Sequence, residues 1–168
     1  MMFHTSIIAL AGTVNHTLIG RRQMIVTAES CTGGLIAGAL TDVPGSSDAV
    51  FGGYVTYANE AKAGMIGVDR DLIRAHGAVS EEVARAMAEG ALKTSGQAVA
   101  IAVTGIAGPG GGTEGKPVGL VHFAYADARK VLHLRRDFGD QGRQAVREAT
   151  VKQALELVLD GLGVPKPV

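Results

Sequence analysis

The run Ala98-Val99-Ala100-Ile101-Ala102-Val103 places six apolar side chains in succession, and no other segment constrains the fold as strongly. Successive strand residues point to opposite faces, so a strand of this composition must be covered on both. An interior strand between two helical layers satisfies that demand. The rest of the chain supplies the layers. Ile7, Ile8, Ala11, Val14, Leu18 and Ile19 recur at helical spacing and predict a helix over 5–20, closed by Arg21-Arg22. Met24-Ile25-Val26-Thr27-Ala28 opens a strand over 24–29, and a helix over 32–41 follows, stopped near Pro44-Gly45. Phe51 to Tyr57 reads as a second strand. Asn59 is the expected N-cap of a helix from Glu60 to Ile66, with a short helix over 70–76 after it. Ser80-Glu81-Glu82 opens a helix to about Lys93, and the central strand runs from Gln97 to Thr104. Val118 to Ala126 and Lys130 to Phe138 predict an antiparallel hairpin, and Asp140 is the expected cap of a long last helix. The expected architecture is α/β: one domain over residues 1–168, a three-layer α/β/α sandwich with a mixed sheet.

Composition narrows the function. The 168 residues balance 16 Lys+Arg against 16 Asp+Glu, so no basic surplus points to nucleic acid. With no Trp, three Tyr and four Phe, stacking on bases is hard to staff. One Cys excludes an internal disulfide and suits a reducing cytosol, so a cytoplasmic location is expected. The apolar stretch Ile7 to Ala11 is too short to span a bilayer and no basic segment precedes it, so no membrane association is expected. No His, Cys, Asp and Glu cluster has ligand spacing, so neither a metal nor another cofactor is expected.

Chemistry concentrates at Ser30-Cys31-Thr32-Gly33-Gly34, between a strand and a helix. Such a turn sets backbone N–H groups and a positive helix end beside a potential nucleophile, which suits acyl transfer. A nucleophilic Ser30 needs a base. The five His are scattered, and His122 and His133 fall in the hairpin as surface or packing residues. Lys62 lies in the first turn of a helix that follows a strand end. The helix dipole and partial burial both favour its neutral amine. The plainer alternative is that Ser30 caps a helix and Lys62 is a solvated surface residue. Cys31 is the intrinsically better nucleophile or, equally in keeping with a lone thiol, a small buried hydrophobe.

The glycine-rich stretch Thr104 to Pro117 matches G-x-G-x-x-G and most of a P-loop. Both motifs need a helix directly afterwards, and Val118-Gly119-Leu120-Val121 reads as a strand, so both are rejected. What remains is a flexible loop whose N–H groups, among them those of Gly105 and Gly108, could cradle an anion, with Thr104 at its start. Arg143 and Arg147 share a face of the last helix and are candidate holders of a phosphate or carboxylate. Ser46 and Ser47 form a turn that could also reach a phosphate, and Tyr57 could orient an amine or a ligand ring. Glu29 has two available jobs, orienting Lys62 or pairing with an arginine.

Several of these segments in one order resemble a known family. Ala28 to Gly34, Gly45-Ser46-Ser47, Val55 to Lys62, His76 to Ser80 and Thr104 to Pro109 are similar to the C-terminal domain of the competence/damage-inducible protein CinA, whose stand-alone form is the nicotinamide-nucleotide amidohydrolase PncC. The resemblance runs from about residue 20 to residue 155. It implies hydrolysis of nicotinamide mononucleotide (NMN) to nicotinic acid mononucleotide and ammonia in bacterial pyridine-nucleotide recycling, by a Ser nucleophile and a Lys base without metal. Those roles fall on Ser30 and Lys62, with Tyr57 orienting the amine or ring. The expected oxyanion donors come from the Thr32-Gly33-Gly34 turn. The expected phosphate ligands are the Thr104 to Gly112 loop, Ser46, Ser47 and one of Arg143 and Arg147. A homo-oligomer is the expected assembly.

Overall fold

The structure, a computed structural model, describes residues 2–168. Along the chain run α1 (Thr5–Arg21), β1 (Ile25–Glu29), α2 (Leu35–Thr41), β2 (Val50–Val55), α3 (Asn59–Ile66), α4 (Arg70–His76), α5 (Glu81–Ser95), β3 (Val99–Gly105), β4 (Leu120–Asp127), β5 (Val131–Asp137) and α6 (Arg143–Leu162). The strands form one sheet in the order β2-β1-β3-β4-β5. β1 runs parallel to β2 and β3, whereas β3, β4 and β5 alternate in direction. The sheet is therefore mixed, β3 is its middle strand, and helices cover both faces.

The two faces carry different side chains. Ile25, Val99, Ile101, Val103, Val121, Phe123 and Tyr125 point toward α1, α2 and α6 and fill one core. Their neighbours Val26, Ala28, Ala100, Ala102, Ala124 and Ala126 point the other way, onto Val83, Ala84, Met87, Ala88 and Ala91 of α5. Alanines on both sides let α5 lie close to the sheet. Gly90 extends that closeness to α3, because a Cβ at this position would lie 2.0 Å from the Ile66 carbonyl oxygen. Backbone contact thus seats α3, and with it Lys62.

Helix starts depart from the sequence reading. α2 begins at Leu35 rather than Thr32, because Gly33 and Gly34 take positive φ of +61° and +101° and turn the chain first. Asn59 does not cap α3: it is the first helical residue, preceded by an extended Ala58 with no side-chain cap. Asp140 likewise does not cap α6, whose cap position is Gly142. Ser80 does cap α5, accepting from the Val83 N–H at 3.3 Å. β2 ends at Val55, so Thr56 and Tyr57 belong to the loop that leads into α3.

The parallel run of β2, β1 and β3 gives the sheet a polarity. Ser30, Thr56-Tyr57 and Ile106 all leave the carboxyl ends of their strands on one side, where open α/β sheets gather ligand-binding groups. The short 3₁₀ turn Ser46–Asp48 enters β2 from the opposite side.

Candidate active site

Ser30 is the first residue beyond β1, and its N–H donates to the Val103 carbonyl at 3.1 Å, which pins it to the middle strand. The adjoining loop after β2 is tied in by the Thr56 N–H, which donates to the Glu29 carbonyl at 2.8 Å. From α3 the Lys62 side chain returns beneath that loop. Its Nζ lies 3.1 Å from Ser30 Oγ, 3.0 Å from the Thr56 carbonyl and 3.4 Å from the Tyr57 carbonyl. Lys62 is only 1 % exposed, and burial lowers its pKa from the ordinary lysine value. A neutral amine has two N–H groups and one lone pair. In that form the two carbonyls can take the N–H groups, and the lone pair is then free to face the Ser30 hydroxyl.

Glu29 takes neither of the jobs open to it. Its fully buried carboxylate accepts from Thr32 Oγ1 and from the N–H groups of Gly34 (3.2 Å), Ile36 (2.9 Å) and Ala37 (2.9 Å). It is the cap of α2, delivered from the preceding strand. The negative charge sits on the positive end of the helix and leaves the Lys62 amine without a carboxylate partner.

This anchoring corrects the expected oxyanion donors. The Gly34 N–H is engaged by Glu29, and the Gly33 N–H donates to the Ser30 carbonyl at 3.1 Å. Among the described residues, the N–H groups of Cys31 and Thr32 donate to no oxygen. Cys31 itself is buried, and burial pushes its thiol up to about 12.

Ser30, Cys31, Tyr57, Lys62, Thr104, Gly105, Gly108 and Arg143 line one cleft of about 260 Å³, together with Asn59, Ala78, Val79, Ile106, Ala107, Gly110 and Gly111. Thr104 is fully buried and donates to the Ala78 carbonyl at 2.8 Å. Arg143 opens α6 and donates to the Gly108 carbonyl at 2.9 Å and to the Tyr57 hydroxyl at 2.7 Å, joining the glycine-rich loop to the loop after β2. The sequence reading treated Asn59 only as a cap, but its place on the cleft wall follows from standing first in the helix that carries Lys62.

Three expected ligands lie elsewhere. Ser46 and Ser47 stand at the far end of β2, remote from Ser30, because a loop that enters a parallel strand lies opposite the loop that leaves it. Arg147 does not line the cleft. It donates from Nε to the Cys31 carbonyl (3.1 Å) and from Nη2 to the Thr32 carbonyl (3.0 Å). His122 and His133 pack against each other on β4 and β5, ring nitrogens 2.9 Å apart, and neither lines the cleft. Among the described residues no group of His, Cys, Asp or Glu could hold a metal ion. No helix among them is long and apolar enough to cross a membrane.

The chain as a whole is similar to known proteins. The CinA C-terminal domain family matches residues 7–162. A CinA-like protein of Synechococcus sp. is 48% identical over 151 residues, covering 89% of this chain and 36% of that protein. A CinA-like protein of Mycobacterium avium is 63% identical over 151 residues, covering 86% of this chain and 34% of that protein. The chain thus spans about a third of the length of these curated relatives. The crystal structure of the competence/damage inducible protein CihA from Agrobacterium tumefaciens superposes with a TM-score of 0.94 at 49% identity, covering 95% of this chain and 98% of that one. A CinA superfamily protein from Escherichia coli superposes with a TM-score of 0.87 at 33% identity, covering 95% and 92%.

Proposed function

The chain belongs to the CinA C-terminal domain family, and from that premise we propose that it hydrolyses the carboxamide of NMN to nicotinic acid mononucleotide and ammonia. The observation that carries this reading is the 3.1 Å approach of a buried lysine amine to a strand-end serine hydroxyl, with no carboxylate to hold the amine charged. The nucleotide itself comes from the family resemblance rather than from the geometry.

In this mechanism Lys62 accepts the Ser30 proton as Oγ attacks the carboxamide carbon. The negative charge collects on the former carbonyl oxygen, and the N–H groups of Cys31 and Thr32 are its donors. Loss of one such donor costs about 3–4 kcal/mol of transition-state stabilisation in other enzymes. The tetrahedral species collapses, the C–N bond breaks, and Lys62 returns its proton to the leaving nitrogen, releasing ammonia. Lys62 then takes a proton from water as the water attacks the acyl-enzyme. Collapse frees the acid and restores the Ser30 hydroxyl. Arg143 has donors beyond the two engaged by Gly108 and Tyr57, and with the loop from Thr104 it holds the ribose 5′-phosphate. Tyr57 orients the ring at the cleft mouth.

Cys31 is not the nucleophile in this reading, since its buried thiol resists ionisation at neutral pH. A homo-oligomer in the cytoplasm completes the proposal. The deciding experiment is ammonia release from NMN, nicotinamide riboside and nicotinamide by the unaltered protein and by Ser30→Ala. The expectation is turnover of NMN above the other two, lost in the variant. No ammonia from any of the three refutes an amidase of this substrate class.

A further inference from the structure

The turn that carries Ser30 is held by two opposite charges that never touch the cleft. On one side the Glu29 carboxylate takes the Thr32 hydroxyl and the N–H groups of Gly34, Ile36 and Ala37. On the other side the Arg147 guanidinium, reaching across from α6, takes the carbonyls of Cys31 and Thr32. Thr32 is therefore gripped at both its side chain and its carbonyl. Gly33 brings the backbone close to the guanidinium, since a Cβ there would sit 3.5 Å from Arg147 Nη2.

The direction of these bonds has a chemical consequence. In a trans peptide the C=O and the following N–H point opposite ways, and the only cis bond among the described residues is Gly108-Pro109. The Thr32 carbonyl faces Arg147, and the Gly33 N–H accordingly turns back onto the Ser30 carbonyl. The Cys31 carbonyl also faces Arg147, so the Thr32 N–H must point away from α6. The flanking Gly33 and Gly34 sit in left-handed conformations and offer little resistance to rotation of a neighbouring peptide plane. Something outside the turn has to choose its orientation.

We infer that Arg147 is the positioning residue that fixes the Cys31–Thr32 peptide, and so aims the Thr32 N–H as an oxyanion donor. The catalytic half of this inference rests on the amidase reading; the orientation of the turn does not. A guanidinium suits the task because its rigid fork meets two carbonyls at once, which a lysine ammonium on a flexible stem does not reproduce.

The test uses the full chain with Arg147→Lys and Arg147→Met, each checked for a native thermal transition. The first readout is amide hydrogen exchange across Cys31 to Gly34. Exchange is expected to rise about tenfold or more in both variants, while β1 and β3 keep their protection. The second readout is steady-state kinetics on NMN. The expected result is a kcat lower by about 10- to 100-fold in Arg147→Lys, a KM within about threefold of the unaltered protein, and an unmoved midpoint of the acid limb, because Lys62 is untouched. Unchanged exchange in both variants overturns the positioning role. Raised exchange with an unaltered kcat, or a loss confined to KM, overturns its catalytic use. If the unaltered protein releases no ammonia, the amidase reading fails with the catalytic use, and the exchange measurement still decides the rest.

Discussion

Arg143 and Tyr57 meet at 2.7 Å across the cleft mouth, although one residue opens the last helix and the other lies in the loop after β2. Tyr57 is 56 % exposed, so the Arg143 contact, and not packing, holds its hydroxyl. In Tyr57→Phe the guanidinium loses an acceptor and gains freedom. KM for NMN is expected to rise by about tenfold, roughly 1.4 kcal/mol, with no comparable change for the riboside that lacks the phosphate. Steady-state assays on the two substrates check this, and an equal change on both would contradict a phosphate role for Arg143.

The state of the Lys62 amine sets the pH dependence. Burial holds its pKa below the ordinary 10.5, so kcat/KM should climb with pH to a plateau whose midpoint lies below that value. Lys62→Ala should cost about 10²- to 10⁴-fold in kcat while NMN still binds. Stability follows the same proton. The unfolded chain keeps it to higher pH than the folded protein, so unfolding free energy rises with pH between the folded and unfolded pKa values. Lys62→Met should flatten that slope in denaturant titrations run across the alkaline range.

Cys31 sits next to the nucleophile but should be chemically silent. With its thiol pushed up to about 12 by burial, almost no thiolate exists near pH 8. Iodoacetamide should leave turnover unaffected, and Cys31→Ala should keep kcat within about threefold. Rapid inactivation by the reagent at pH 8, prevented in Cys31→Ala, would move the chemistry from Ser30 to the thiol.

Gly90 makes a prediction far from the cleft. A methyl group there would meet the Ile66 carbonyl, which ends the helix bearing Lys62. Gly90→Ala should therefore destabilise by about 1–3 kcal/mol, despite the usual gain from replacing glycine in a helix. Displacement of α3 should also lower kcat. Thermal unfolding and ammonia release together check both effects, and a raised melting temperature would be the contrary result.

Legibility in the sequence depended on how far apart the determinants stood. The buried run at Val99 to Val103, the serine turn after β1 and the Ser80 cap were readable because each rests on neighbours in the chain. The start of α2 was not, because its cap is a carboxylate several residues upstream on a strand, and two glycines turn the chain before the helix begins. Arg143 and Arg147 looked equivalent on one helix face. Only the folded backbone separates them, by giving one the glycine-rich loop and Tyr57 and the other two carbonyls more than a hundred positions away. Ser46 and Ser47 were misplaced for a different reason. Once β1 and β2 are known to be parallel, the loop entering β2 must lie at the wrong end, but strand direction is a property of the assembled sheet.

That same directionality sets one end of the molecule apart from the cleft that bears Ser30. The turn at Ser46–Asp48 and the hairpin bend between Asp127 and Val131 emerge about 15 Å, the length of β1, from the end that bears Ser30. Fluorophores, affinity handles or a surface tether grafted onto either bend would stand at the opposite end of the sheet from the Ser30 cleft, so labelling there is expected to leave the proposed ammonia release intact.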